Sequence, residues 1–244
     1  MEKNIIQYSG GKDSTALLYY MKDQLDTLDV VFVETGATFP HVVQFIRDTC
    51  DKLKANLIVI RPIMDVDSYT LQYGLPSDLV PVERTFEMAG FLQNKPEQLL
   101  QSYMTCCGQM IYKPMADYIS DNEIQLVYRG SKRSDVRVGV GPSYKENGVT
   151  YISPLWEWSD KDVYTFLSDN GIMLPEHYKE INDSIDCWLC TAHFKHYGDK
   201  KMRYIKRAYP DLWIKLQGRA NQMAKALRQE LESISPALKE LNDG

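Results

Sequence analysis

Asn4-Ile5-Ile6-Gln7-Tyr8-Ser9-Gly10-Gly11-Lys12-Asp13-Ser14 is a short apolar run that passes through two adjacent glycines into a helical pattern. Paired glycines let the backbone turn tightly and bring its N–H groups close to an anion, and the N-terminus of the following helix adds positive potential. Lys12 supplies a mobile point charge, and Ser9 and Ser14 supply hydroxyl donors. The loop therefore suits a pyrophosphate, with Ser9, Gly10, Gly11, Lys12 and Ser14 as phosphate binders. It lacks the four-residue spacer of a Walker A loop, so it is a different phosphate loop. An ordinary strand-to-helix turn is the alternative for a bare Gly-Gly pair. The full pattern between a strand and a helix favours phosphate.

Outward from this loop, Asp29 to Glu34, Leu57 to Pro62 and Gln125 to Gly130 repeat the short, often β-branched run of Asn4 to Tyr8. They alternate with helical periodicity at Asp13 to Gln24, His41 to Leu53 and Gln109 to Ser120. This alternation predicts an α/β fold with a doubly wound, mainly parallel sheet. Ser159 is placed to cap a helix, with Asp160 and Asp162 in its first turn and an end at Asn170-Gly171. Residues 63–100 break the rhythm and are expected as an insertion over the sheet's carboxyl edge, where ligands of such folds bind. The expected organisation is a nucleotide-binding domain over 1–190 and a basic helical C-terminal extension over 191–244. Within that extension, Tyr197 to Leu241 reads as two helices broken near Pro210.

The chain has 244 residues, 44% of them hydrophobic, and a net charge of -5. Its longest apolar runs last a few residues, against roughly 20 for a bilayer span. With no apolar leader after Met1, the expectation is a cytoplasmic protein with no membrane partner. The charge is uneven: Lys195 to Arg228 holds ten Lys or Arg against two Asp, a net +8. Lys195, Lys200, Lys201, Arg203, Lys206 and Arg207, interleaved with Tyr197 and Tyr204, suit either nucleic-acid contact or a solvated helical face.

The cysteines are Cys50, Cys106, Cys107, Cys187 and Cys190. An adjacent pair, then 79 intervening residues, then Cys187-Trp188-Leu189-Cys190 can present four thiolates to one metal centre. Neighbouring side chains diverge, which suits the separate irons of a cubane better than one zinc ion. A [4Fe-4S] cluster is the expectation, with structural zinc and unliganded core cysteines as alternatives. Cys50 falls between Ile46 and Leu53 on one face of a helix and reads as core.

The loop resembles that of the PP-loop ATP pyrophosphatases, which cleave ATP between the α and β phosphates. Glu34-Thr35-Gly36-Ala37-Thr38-Phe39-Pro40 is similar to the second-strand loop of their phosphoadenylylsulfate (PAPS) reductase branch, where it holds the adenosine. Arg129-Gly130-Ser131-Lys132-Arg133-Ser134-Asp135-Val136-Arg137 is similar to that branch's basic loop, and Ile152-Ser153-Pro154-Leu155 to its next element. The resemblance runs from about Asn4 to Cys190 and implies a PP-loop/HUP-like fold. It assigns nucleotide contacts to Glu34, Thr35, Gly36, Phe39, Arg129, Gly130, Arg133 and Arg137. The cysteine spacing resembles that of assimilatory adenylylsulfate (APS) reductases, which hold a [4Fe-4S] cluster on Cys106, Cys107, Cys187 and Cys190 equivalents.

Those reductases attack their substrate with a cysteine in a C-terminal Glu-Cys-Gly-His type motif, and this sequence has no cysteine after Cys190. Their loops usually lack the lysine, so Lys12 points to intact ATP with Mg2+. The combined features resemble the ATP pyrophosphatase of DNA phosphorothioation systems. That likeness implies a cysteine desulfurase as sulfur donor and DNA, ahead of tRNA, as acceptor. Lys12, Asp13 and Ser14 are the expected catalytic residues, and a homodimer is one expected assembly. The alternatives are an APS or PAPS reductase, a tRNA thiolase, and a non-catalytic nucleotide-sensing subunit.

Overall fold

The computed structural model describes residues 3–78, 100–135, 141–185, 187–192 and 199–242. It divides into two compact units, Met1–Ile63 with Gln109–Asp186, and Met64–Gly108 with Cys187–Gly244. The segment expected as an insertion thus joins the C-terminal extension in one unit. Its residues 79–99 lie outside the described ones.

In the first unit, apolar runs become strands. They are β1 (Asn4–Gln7), β2 (Asp29–Val33), β3 (Asn56–Ile60) and β6 (Leu126–Tyr128), joined by the hairpin β7 (Ser143–Glu146) and β8 (Val149–Ile152). The central β1 and β2 carry most of the buried positions. The sheet order is β3-β2-β1-β6-β8-β7, parallel except for β7. Register pairs Ile5 with Asp29 on one side and with Val127 on the other. The chain builds outward from β1 in one direction and then returns to add β6 on the other side. The carboxyl ends of β1 and β6 therefore form the topological switch point, where open α/β sheets take ligands. The expected doubly wound, mainly parallel α/β fold is the fold observed.

Helices α1 (Lys12–Tyr20) and α2 (Pro40–Leu53) follow β1 and β2. Pro40 begins α2, where its missing N–H costs nothing, and Lys54 closes it in the left-handed region at φ 54°. Helix α5 (Lys113–Asp121) places Met115 and Ile119 on Ile5, Val31, Val33 and Val127, so the sheet's apolar face is covered by an amphipathic helix. The single helix expected over Gln109 to Ser120 is instead a π-helical segment, Gly108–Tyr112, running into α5. Helix α6 (Asp160–Asp169) starts with the expected cap: the Ser159 hydroxyl accepts from the Asp162 N–H, and the Asp162 carboxylate accepts from the Ser159 N–H. Cys50 is core as expected, its thiol pushed up to about 12 by burial and then by Asp51.

The second unit contains α3 (Val66–Tyr73), the parallel pair β4 (Leu75–Ser77) and β5 (Leu100–Ser102), and α4 (Tyr103–Cys107). It also holds α7 (Lys200–Ala208) and α8 (Pro210–Asn242), which break at Pro210 as the sequence predicts. Arg219 of α8 is ion-paired with Asp67 of α3. Among the described residues, no helix is long and apolar enough to cross a membrane.

Candidate functional site

Chain geometry at the end of β1 is fixed by glycine. Gly10 has φ +76°, and a Cβ there would stand 2.8 Å from Ile46 of α2, so position 10 needs both the conformation and the absence of a side chain. Ser9 and Ser14 close the loop with their hydroxyls 3.0 Å apart. The expected free N–H groups are partly engaged. The Lys12 N–H donates to the Tyr178 hydroxyl at 2.9 Å, and the Gly11 N–H lies 3.4 Å from the Ser9 hydroxyl.

Lys12 itself is buried at 7% exposure, with its ammonium on Asp13 at 2.8 Å and on Asp160 at 3.1 Å. A second ammonium, from fully buried Lys132, meets the other oxygen of Asp13 at 2.6 Å and reaches Asp135 at 3.0 Å and Asp160 at 3.3 Å. Two cations and three carboxylates thus converge at the N-terminus of α1. Burial alone would lower both lysine pKa values. For Lys12, Asp13 and then Asp160 outweigh it, and for Lys132, Asp13 and then Asp135 do, so both lysines stay above their ordinary value. Burial would raise the Asp160 pKa, but Lys12 and Lys132 hold that carboxyl below the usual range. Both lysines remain charged at neutral pH and can exchange carboxylate partners for phosphate.

The basic loop after β6 reaches the same place. A Cβ on Gly130 would lie 2.9 Å from the Asp13 carbonyl carbon and the Ser14 nitrogen, so the two loops touch backbone to backbone. Beside them opens a cavity of about 480 Å³. Its polar wall includes Ser9, Asp13, Ser14, Arg129, Gly130 and Ser131, and its apolar wall includes Val31, Val33, Ile111 and Met115. A few convergent polar groups over an apolar floor make a small-ligand site.

The second-strand loop, expected to hold the adenosine, is closed by its own hydrogen bonds. The Glu34 carboxylate accepts from the Gly36 N–H, Thr35 is buried with its hydroxyl 3.3 Å from the Ala37 N–H, and Phe39 is fully buried. Gly10, Gly11, Lys12, Lys132, Glu34, Thr35, Gly36 and Phe39 are not among the cavity's lining residues, the two lysines reaching it through Asp13, and neither is Arg133, which is exposed. Arg137 lies outside the described residues. Asp160, expected only as an acidic residue in the first turn of the helix that Ser159 caps, joins the site, as do Tyr178 and Asp135, for which the sequence suggests no site role. Tyr178 sits in the short 3-10 turn Glu176–Lys179, and neighbouring His177 contacts His41 at 2.9 Å. Burial and then His41 push His177 down to about 3, so this pair is neutral at pH 7.

The second unit brings the four sequence-predicted cysteines together. Burial raises the Cys106 thiol well above its ordinary value, with further contributions from Cys107, Cys187 and Cys190, which places all four within electrostatic reach. A backbone hydrogen bond of 3.1 Å from Cys190 to Cys187 closes the Cys-x-x-Cys turn. Four thiols are the donor chemistry of a thiolate-held metal centre. Among the described residues, however, no group of three or more His, Cys, Asp or Glu is arranged to hold a metal ion. Lys201 corrects the reading of the basic tail. It is 1% exposed and donates to the Cys187 carbonyl at 3.0 Å and the Cys190 carbonyl at 3.5 Å, so it belongs to the cysteine turn and not to a solvated face. Lys200, Arg203, Lys206 and Arg207 are exposed, with Arg207 stacked over Tyr204, while Lys195 and Tyr197 lie outside the described residues.

Comparison with known proteins bears on this geometry. An uncharacterised protein of Methanocaldococcus jannaschii is 22% identical over 214 residues, which are 85% of this chain and 45% of that protein. The adenosine 5'-phosphosulfate reductase of Rhizobium tropici is 23% identical over 166 residues, covering 67% of this chain and 82% of that enzyme. The chain spans about half the length of several curated relatives it matches. The crystal structure of phosphoadenylyl-sulfate reductase from Candida auris, a phosphate complex, shares the fold, with a TM-score of 0.53, 17% identity and coverage of 77% of this chain and 83% of that one. The family model of the phosphoadenosine phosphosulfate reductase domain matches residues 3–193, from the first strand past the Cys187-x-x-Cys190 turn. The chain belongs to the phosphoadenosine phosphosulfate reductase domain family.

Proposed function

We propose that the chain binds ATP at the β1–β6 switch point and cleaves it to AMP and pyrophosphate, activating an acceptor for sulfur insertion. The observation that carries this reading is the pair of buried ammoniums, Lys12 and Lys132, meeting on Asp13 beside the loop. Two fixed positive charges at a helix N-terminus match a triphosphate's leaving end better than a single sulfate or monophosphate. Asp13 and Asp160 are the carboxylates suited to share a magnesium ion with the phosphates, and that ion would neutralise charge on the departing pyrophosphate.

In the proposed reaction an acceptor oxygen attacks the α-phosphorus, the bridging bond between the α and β phosphates breaks, and pyrophosphate leaves. Lys12 and Lys132 hold the β and γ phosphates, releasing Asp13 and Asp160 as they do so. Ser9 and Ser14 donate hydroxyl hydrogen bonds to the same group. The terminal sulfur of a persulfide on a cysteine desulfurase then attacks the activated centre and AMP leaves, after which a second thiol cleaves the resulting S–S bond, forming a disulfide with the desulfurase cysteine and leaving the sulfur on the acceptor. The exposed cations of α7 suit a polyanionic acceptor, and DNA is proposed ahead of tRNA on the likeness to DNA phosphorothioation systems. The thiolate-ligated iron centre suggested by the four cysteines is assigned a structural and electrostatic role.

A second reading, sulfonucleotide reduction, is favoured by relatives that are named APS and PAPS reductases. One assay separates the two. With ATP, magnesium, DNA, desulfurase and cysteine, the protein is expected to release pyrophosphate, and Lys12→Ala to slow that release about a hundredfold, as loss of one charge-assisted transition-state contact does. Sulfite release from APS or PAPS with a thiol reductant, and no pyrophosphate from ATP, would establish the reductase instead.

A further inference from the structure

We infer that Tyr144, backed by Tyr151, is a positioning residue that fixes Arg129 as a phosphate-binding cation of the nucleotide cavity. This deepens the reading above and rests on an anionic nucleotide occupying that cavity. The hairpin supplies the device. Tyr144 and Tyr151 are opposite each other in the β7–β8 register, and their rings stack at 5.0 Å and 10°. The Arg129 Nη1 donates to the Tyr144 hydroxyl at 2.8 Å, and its guanidinium lies 5.8 Å over the Tyr151 ring. One edge of the guanidinium is thereby held by a hydroxyl and one face by a ring, leaving its remaining N–H donors for a ligand.

Position gives this arrangement its purpose. Arg129 directly follows β6 at the switch point, its N–H donating to the Ile152 carbonyl, and the next residue, Gly130, packs on the Asp13–Ser14 backbone. Arg129, Tyr144 and Tyr151 line the same cavity as Ser9 and Ser14. Asp135 and Glu146 also line it, and among the described residues neither pairs with Arg129. An untethered arginine could swing to either carboxylate. Held by Tyr144, it keeps a directed fork for phosphate oxygens at little ordering cost on binding. Lys12 and Lys132 then grip one end of the phosphate chain while Arg129 grips the other.

The test is calorimetric titration of wild type, Tyr144→Phe, Arg129→Gln and the double variant with ATP, APS and adenosine. Tyr144→Phe keeps the ring and its stack and removes only the hydroxyl. It is expected to weaken ATP about five- to tenfold, the size of one ordinary hydrogen bond, with adenosine unchanged. On the Arg129→Gln background the same change should have no further effect. The inference is overturned if Tyr144→Phe binds ATP like wild type, if adenosine weakens by the same factor, or if the two substitutions act additively. Wild type that binds APS but not ATP removes the pyrophosphatase reading, and the same comparison with APS then decides the role of Tyr144. Wild type that binds neither overturns both.

Discussion

A single methyl group measures how closely the two loops of the site are built. At Gly130 it would stand 2.9 Å from the backbone of Asp13 and Ser14, where no flexible side-chain end can yield. Gly130→Ala is therefore expected to push the loops apart, costing roughly 1–3 kcal/mol of stability in denaturant unfolding and lowering ATP affinity in titration. Wild-type values for both would show that the approach is loose. Such residue-level facts were unevenly legible. Lys12, Ser9 and Ser14 stand in one contiguous pattern whose chemistry follows from residue type and order. Tyr178 reaches the Lys12 N–H from 166 positions away, and Asp160 joins the lysines by projecting from the first turn of a distant helix. Nothing local distinguishes that tyrosine from the others, and a place in the first turn of a helix, where acidic residues are favoured, fully accounts for Asp160.

Among elements, α7 shows how a helical period can hide a role. Lys201, Tyr204 and Ile205 are its buried residues, an i, i+3, i+4 stripe whose first member is a lysine. Counted as charge, Lys201 belongs with its basic neighbours. Placed on the stripe, it belongs inside. Charge reversal at Lys200, Lys206 and Arg207 together is expected to weaken DNA binding and flatten its salt dependence while leaving the unfolding transition in place. Lys201→Ala is expected to do the opposite, destabilising the fold by roughly 2 kcal/mol with the salt slope of DNA binding unchanged. A salt slope unaffected by the triple reversal would make the exposed face a solvated one. The β7–β8 hairpin carries an equally readable signal in its sequence. Asn147-Gly148 occupies positive φ at both positions between the two strands, the turn chemistry that Asn-Gly favours.

At the scale of the whole molecule, the parallel sheet was legible because its central strands are short apolar runs. The second unit was not, because it is assembled from separated stretches and holds cysteine pairs with 79 residues between them. Its assembly underlies the prediction that protein purified without oxygen is brown and carries about four irons per chain, held by Cys106, Cys107, Cys187 and Cys190. All four belong to one unit, so a cluster there requires no closure between units. Burial keeps Cys106 protonated by itself, and a bound metal would remove that proton by direct coordination. The Lys201 ammonium against the Cys187 and Cys190 carbonyls then offsets part of the negative charge that four thiolates bring. Serine at any of the four positions should lower iron content and destabilise this unit, because the metal contributes folding free energy. Serine at Cys50, in the sheet-containing unit, should leave iron unchanged. Stoichiometric zinc in place of iron would turn the centre into a structural clamp, and a preparation with neither metal would leave the four cysteines as packed core.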